Sequence, residues 1–189
     1  ISYKHQEYFP LASDFTFRLL ADIGYGDGYG DTDELPFFVF YYGGGTGSVR
    51  GFRNNTLGPR DRLTTRIPGV KARPNANPPV KGRRARYVNQ INRPFGGSTK
   101  MVGSAELFFP VPFLQDVKSV RLGTFFDAGR IQDGFGVDNL KYSAGLSGEW
   151  LSPFGALSIS AAVPLNADKN DPEQPDQTEF FQFNFGQNF

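Results

Sequence analysis

One arginine stands alone in a glycine-rich run. In Gly43-Gly-Gly-Thr-Gly-Ser-Val-Arg-Gly-Phe52, Arg50 lies between Val49 and Gly51 with little side-chain bulk around it. A glycine-rich run can cradle phosphate, but a Walker loop ends in Gly-Lys-Ser/Thr and this one does not. Glycines at a hairpin tip admit positive φ and close backbone approach. The run therefore reads as a tight turn presenting Arg50, with a solvated loop charge as the alternative. A guanidinium makes paired, charge-assisted hydrogen bonds to carboxylates. Glu106 and Asp127, both on the polar faces of strands, are its natural acceptors.

Other chemistry is scarce. Cysteine is absent, which excludes disulfides, thiolate nucleophiles and Cys-ligated metal. The single histidine, His5, excludes a multi-His metal site, and no Gly-x-Ser-x-Gly elbow accompanies it, so hydrolase chemistry is disfavoured. No enzyme activity, cofactor or metal is expected. Asp27, Asp31, Asp33 and Glu34 lack calcium-loop spacing and read as a solvated turn. Ten basic residues and one acid, Asp61, lie between Arg60 and Arg93. Such a run can bind nucleic acid, but only Tyr87 is there to stack on bases. Anionic lipid head groups or an acidic cavity suit it better, and no nucleic-acid partner is expected.

These groups need a scaffold, and its signature is period two. From Phe15 to Tyr25, Phe15, Phe17, Leu19, Ala21, Ile23 and Tyr25 alternate with Thr16, Arg18, Leu20, Asp22 and Gly24. Successive strand side chains point to opposite sides, so this is a two-faced strand. The alternation recurs over Thr99–Phe109, Val120–Gly129, Leu140–Leu151, Leu157–Val163 and the terminal segment, with a weaker seventh strand before Pro10. Short connections alternate with long ones, the longest running from Asp27 to Ser98. Long strands with this loop asymmetry predict an all-β, antiparallel transmembrane β-barrel. A soluble sandwich also alternates, with shorter strands and without the asymmetry.

Polarity sorts the faces. Arg18, Asp22, Glu106, Asp127 and Glu149 share the polar side, which faces the lumen of a water-holding barrel, while the aromatic side faces lipid. Of 189 residues, 20 are Phe, 23 Gly and 8 Tyr, which is too much apolar surface for a disordered chain. No run reaches the ~18 apolar residues of a membrane helix. The net charge is only +1. The chain starts at Ile1 without Met or signal peptide, which reads as a mature or excised fragment. Seven strands are odd in number and too few for a wide lumen, so further strands are expected upstream. The aromatics Phe181, Phe183, Phe185 and the final Phe189 match the sorting signal of outer-membrane barrels.

Val49-Arg-Gly-Phe52, continuing as Arg-Asn-Asn-Thr-Leu-Gly-Pro59, resembles the sixth extracellular loop of the BamA family of outer-membrane barrel-assembly factors. Gly24-Tyr-Gly-Asp-Gly28, Leu35-Pro-Phe-Phe38, Ala105-Glu-Leu-Phe108, Phe125-Phe-Asp-Ala-Gly129, Ser143-Ala-Gly145, Trp150-Leu-Ser-Pro153 and Phe181-Gln-Phe-Asn-Phe-Gly186 are similar to family segments in the same order. The resemblance spans nearly the whole chain. Val-Arg-Gly-Phe is shared more widely, with two-partner secretion transporters and TamA-type translocation factors. The basic run after Pro59 departs from the family pattern.

The resemblance implies a sixteen-stranded outer-membrane barrel preceded by periplasmic POTRA domains. Residues 1–189 then form its C-terminal portion of about seven strands, with a long extracellular loop at 27–98. It implies that Arg50 reaches into the lumen to Glu106 and Asp127. The terminal strand, Thr178 to Phe189, meets the first strand at a weak seam. The implied activity is folding and inserting barrel proteins, with unfolded outer-membrane clients, accessory lipoproteins and outer-membrane lipids as partners. A related translocation barrel and a passive pore are the alternatives.

Overall fold

The computed structural model describes residues 1–11, 14–30, 35–61, 64–65, 87–88, 93–111, 119–134, 136, 139–153, 155–169 and 175–186. Phe189, Asp31, Asp33, Glu34 and most of the basic run lie outside them. Seven strands make one antiparallel sheet: β1 Ser2–Pro10, β2 Thr16–Tyr25, β3 Thr99–Phe109, β4 Val120–Gln132, β5 Lys141–Ser152, β6 Gly155–Pro164 and β7 Phe181–Gly186. Each pairs with its sequence neighbours in a simple meander, so β1 and β7 are the edges. Two short backbone pairings, Arg60–Asp61 with Arg93–Pro94 and Thr64–Thr65 with Tyr87–Val88, lie within the long connection.

The alternation in sequence becomes two faces in space because register aligns like with like. Leu19, Ala105, Phe126, Ala144 and Val163 form one outward row across β2 to β6. One residue along, Arg18, Glu106, Phe125, Gly145 and Ala162 form an inward row. A slip of one residue would exchange these faces, so the apolar pattern pins the register. Outward Leu146, Phe181, Phe183 and Phe185 are exposed, whereas inward Glu106 and Asp127 are 1% and 0% exposed. This is the reverse of a water-soluble sandwich, which buries its rings and exposes its carboxylates.

The face assignment has a measurable consequence. Outward Leu146 sits mid-strand opposite Thr124 and Ala161. Leu146→Arg in the full-length protein is expected to cost ~2–4 kcal/mol in a bilayer. Inward Ser158 faces Glu149 across β5 and β6, where a new arginine finds a carboxylate. Urea unfolding in lipid vesicles should show a clear loss for Leu146→Arg and little for Ser158→Arg. Equal losses would refute the assignment.

Most boundaries fall within two residues of the alternation reading, and two differ by three. β4 runs on to Gln132, and β7 begins at Phe181 rather than Thr178. Thr178 pairs instead with Phe52 of the long connection, which takes up the backbone groups that a longer β7 would have given to β6.

Candidate functional site

Residues 43–57 of the long connection pack against the inward face of the sheet. It first builds its own hairpin. Gly43 and Leu57 form a bridge, the Ser48 hydroxyl accepts from the Gly44 N–H at 3.1 Å, and the Gly45 N–H donates to the Val49 carbonyl at 3.1 Å. Val49, Phe52, Leu57 and Ile131 then form a buried apolar cluster between hairpin and wall. Phe52 is 0% exposed. Burying a phenyl ring against such a cluster stabilises the seat by ~3–5 kcal/mol, as judged by truncation to Ala.

Small wall residues make room for it. A Cβ on Gly129 would come within 2.6 Å of the Val49 side chain. Gly51 has φ 84°, a left-handed conformation that favours glycine, and a Cβ there would meet the Ala162 Cβ at 3.2 Å. The motif's glycine is therefore required twice, once by backbone conformation and once by proximity to β6.

Seating the hairpin delivers Arg50 to the wall. Its Nε donates to Asp127 Oδ2 at 2.7 Å and its Nη2 to Asp127 Oδ1 at 2.8 Å, a bidentate pair. The Arg50 N–H also donates to Asp127 Oδ2, at 3.1 Å. Nη1 reaches Glu106 Oε1 at 3.1 Å, and Nη2 reaches the Ser104 hydroxyl at 3.1 Å. The guanidinium carbon lies 3.4 Å from the centre of the Phe125 ring, so a cation–π contact adds to the ion pairs. Burial alone would lower the Arg50 pKa, but hydrogen bonds and charge from Asp127, then Glu106, outweigh it and raise it. The side chain stays cationic.

Arg50 has a companion that strand patterning placed on the polar face without assigning a role. Arg18 of β2 pairs with Glu106 and also reaches Glu149 Oε1 at 3.4 Å. Its guanidinium lies 5.0 Å from the Phe108 ring centre. Glu106 is thus shared by two arginines, and the Ser147 hydroxyl donates to it as well. Two carboxylates buried in a wall are costly unless paired and hydrogen-bonded. Here Arg18 neutralises the wall from within, and Arg50 completes the balance only when the loop is seated. Phe108 and Phe125, apolar residues on the polar face, serve as platforms for the two guanidiniums. Strand alternation by itself gives no reason for them.

A second residue not singled out from sequence is Gln182 of β7. Its Nε2 donates to the Phe52 carbonyl at 2.7 Å, and its Oε1 accepts from the Gly51 N–H at 3.3 Å. The structure therefore brings Val49, Arg50, Gly51 and Phe52 together with Glu106 and Asp127 on one side and with β7 on the other. Phe181, Phe183 and Phe185 point outward and touch none of this. Asp27 caps a local turn, accepting from Tyr25 Oη at 2.8 Å and from the Gly28 N–H at 2.9 Å. Among the described residues no group of three His, Asp or Glu side chains is arranged to hold a metal.

The chain is similar to known proteins in sequence and in fold. The chain is 36% identical to the outer membrane protein assembly factor BamA of Neisseria meningitidis serogroup B, over 96% of its own length and 23% of the relative's. It is 28% identical to the BamA of Nitratidesulfovibrio vulgaris, over 82% of this chain and 16% of that one. It superposes on the crystal structure of BamA from Haemophilus ducreyi lacking POTRA domains 1–3 with a TM-score of 0.73 at 27% identity, over 96% of this chain and 33% of that one. The chain thus spans under a quarter of the curated relatives it matches. An outward apolar face, an inward charged face and these relatives make it part of an outer-membrane β-barrel. The model of the Omp85 superfamily domain matches residues 1–189 without a gap at either end, and the chain belongs to that superfamily.

Proposed function

We propose that residues 1–189 are the C-terminal portion of a sixteen-stranded barrel that folds and inserts other β-barrel proteins into the bacterial outer membrane. The observation that carries this reading is the seated hairpin, in which Arg50 binds Asp127 and Glu106 on the inward face of the wall. A passive pore gains nothing by filling its cavity with a loop held by buried ion pairs. The mechanism is physical and involves no covalent step. An edge strand with unpaired backbone groups templates strand addition by a client. In hydrocarbon those backbone bonds have no competing water. The plug would support the thin wall beside the edge while the edge exchanges partners. Its partners are unfolded outer-membrane proteins and accessory lipoproteins, with outer-membrane lipid around the apolar face.

The test is reconstitution. The full-length protein and its lipoproteins, placed in vesicles of outer-membrane lipid, are expected to speed the folding of an unfolded barrel client at least about tenfold over protein-free vesicles, read as heat-modifiable gel mobility. An open ion conductance with no effect on client folding would instead assign a pore.

A further inference from the structure

The plug holds two distant parts of the sheet at once. Arg50 grips β3 and β4 through Glu106 and Asp127. One residue on, the chain reaches the far edge. The Gln182 side chain, 4% exposed, spans the Gly51–Phe52 peptide link as donor and acceptor. Beside it, the Arg53 N–H donates to the Gln177 carbonyl at 2.9 Å and the Glu179 N–H to the Gly51 carbonyl at 2.9 Å. The loop backbone at 51–53 thus acts as an extra antiparallel partner for the segment that leads into β7.

β7 needs such help. Its described residues are six, and its rungs to β6 run from Ala156 to Ala161. A terminal strand at a weakly paired seam opens by local fraying. Its two ends are not equivalent here. The end beside the long loop is bound to the plug at Gln177, Glu179 and Gln182, whereas among the described residues the Gly186 end is held by its rungs to β6. Gln182 also points inward, so it can hold the strand without using the backbone groups of its outer edge.

We infer that Gln182 is a positioning residue, a latch that ties the terminal strand to the plug so that β7 peels from its Gly186 end and returns to one register. This rests on the assembly reading for its consequence, a constant register for client strands to pair with. It does not rest on that reading for the latch itself.

The experiment uses the full-length protein in outer-membrane lipid vesicles and reads backbone hydrogen exchange over Phe181–Gly186 together with client folding. Gln182→Leu is expected to speed exchange of the Phe181–Phe183 amides at least about tenfold and to slow client folding. Gln182→Glu is the second variant and keeps the side chain's length. It loses the bond to the Phe52 carbonyl and sets a carboxylate near Glu179 Oε2, now 3.3 Å from Gln182 Nε2. It should act in the same direction.

Rescue separates a latch from general packing. Arg53 and Gln177 are opposed across the antiparallel pairing, so their Cα atoms are about 5.5 Å apart, within disulfide reach. Residues 1–189 contain no cysteine, and any cysteine elsewhere in the full-length protein is replaced by serine first. Arg53→Cys with Gln177→Cys, oxidised in the Gln182→Leu background, should restore slow exchange and client folding, and reduction should abolish both. Unchanged exchange in both Gln182 variants, or a formed disulfide that restores neither readout, overturns the latch. If the unmodified protein folds no clients, the assembly reading falls and the exchange measurement still decides the latch.

Discussion

Arg50→Ala is expected to lower the amount of correctly folded client in cells by about tenfold or more, a change worth roughly 1.4 kcal/mol or more. The level of the barrel itself should fall far less. The asymmetry follows from what the arginine touches. Asp127 receives three of its bonds from Arg50 and one, at 2.6 Å, from the Ser104 hydroxyl. Without the guanidinium a fully buried carboxylate keeps only two uncharged donors, the Ser104 hydroxyl and the backbone N–H of residue 50, and its escape is to water in the vacated lumen, which requires the hairpin to leave. Glu106 is protected because Arg18 and Ser147 remain. The interstrand ladders involve no Arg50 atom, so the wall persists while its internal brace is lost. Arg50→Lys should lie in between, since an ammonium is a point charge and cannot span Asp127 and Glu106 with fixed geometry. Client levels in a strain depleted of the native protein, compared with the variant's own heat-modifiable mobility, check both statements. Normal client levels with Arg50→Ala would sink the assembly reading of the plug.

The second large effect is a non-additivity. Arg50→Leu is expected to destabilise the seated barrel by about 3–5 kcal/mol, because it leaves Asp127 buried without a cation, and Asp127→Leu by less, because Arg50 keeps Glu106. Together they remove both charges, and a hydrophobic pair in that position is often neutral for stability. The double variant should therefore lie within about 1–2 kcal/mol of the native protein in urea unfolding. Client folding is expected to stay as low in the double variant as in Arg50→Leu, because the plug is then held by unbreakable packing rather than by an ion pair that can be exchanged for water. Full recovery of client folding would reduce the pair to a stability device.

The strands were legible because membrane geometry enforces alternation over ten or more residues. Phe17, Leu19, Ala21 and Ile23 against Arg18, Leu20 and Asp22 leave one reading of each face. Arg50 stood out because an arginine set among glycines has no packing role of its own, and Glu106 and Asp127 were named for it as carboxylates on the polar faces and by the family resemblance; their depth came from the fold. Arg18 was visible on its face, but its partner was not. β2 and β3 are joined by the long connection, so nothing local says which residue of β3 stands opposite Arg18; pairing across the sheet sets Glu106 there. Gln182 was hidden for a different reason. An amide between two phenylalanines reads as an ordinary inward polar residue, and only the course of a loop 130 residues away gives it a task.

Sequence alone therefore determined the class of surface: which side chains meet hydrocarbon, which meet the lumen, and which cation the plug presents. Those properties are local, repeating every second residue or gathered within ten consecutive positions. The tertiary structure alone decided who pairs with whom. That Glu106 serves two arginines, that Thr178 leaves the last strand to meet Phe52, and that the plug ties β3 and β4 to β7 all depend on register and on the path of a long loop. Both are set by the summed burial and hydrogen bonding of the closed arrangement rather than by any short stretch of chain.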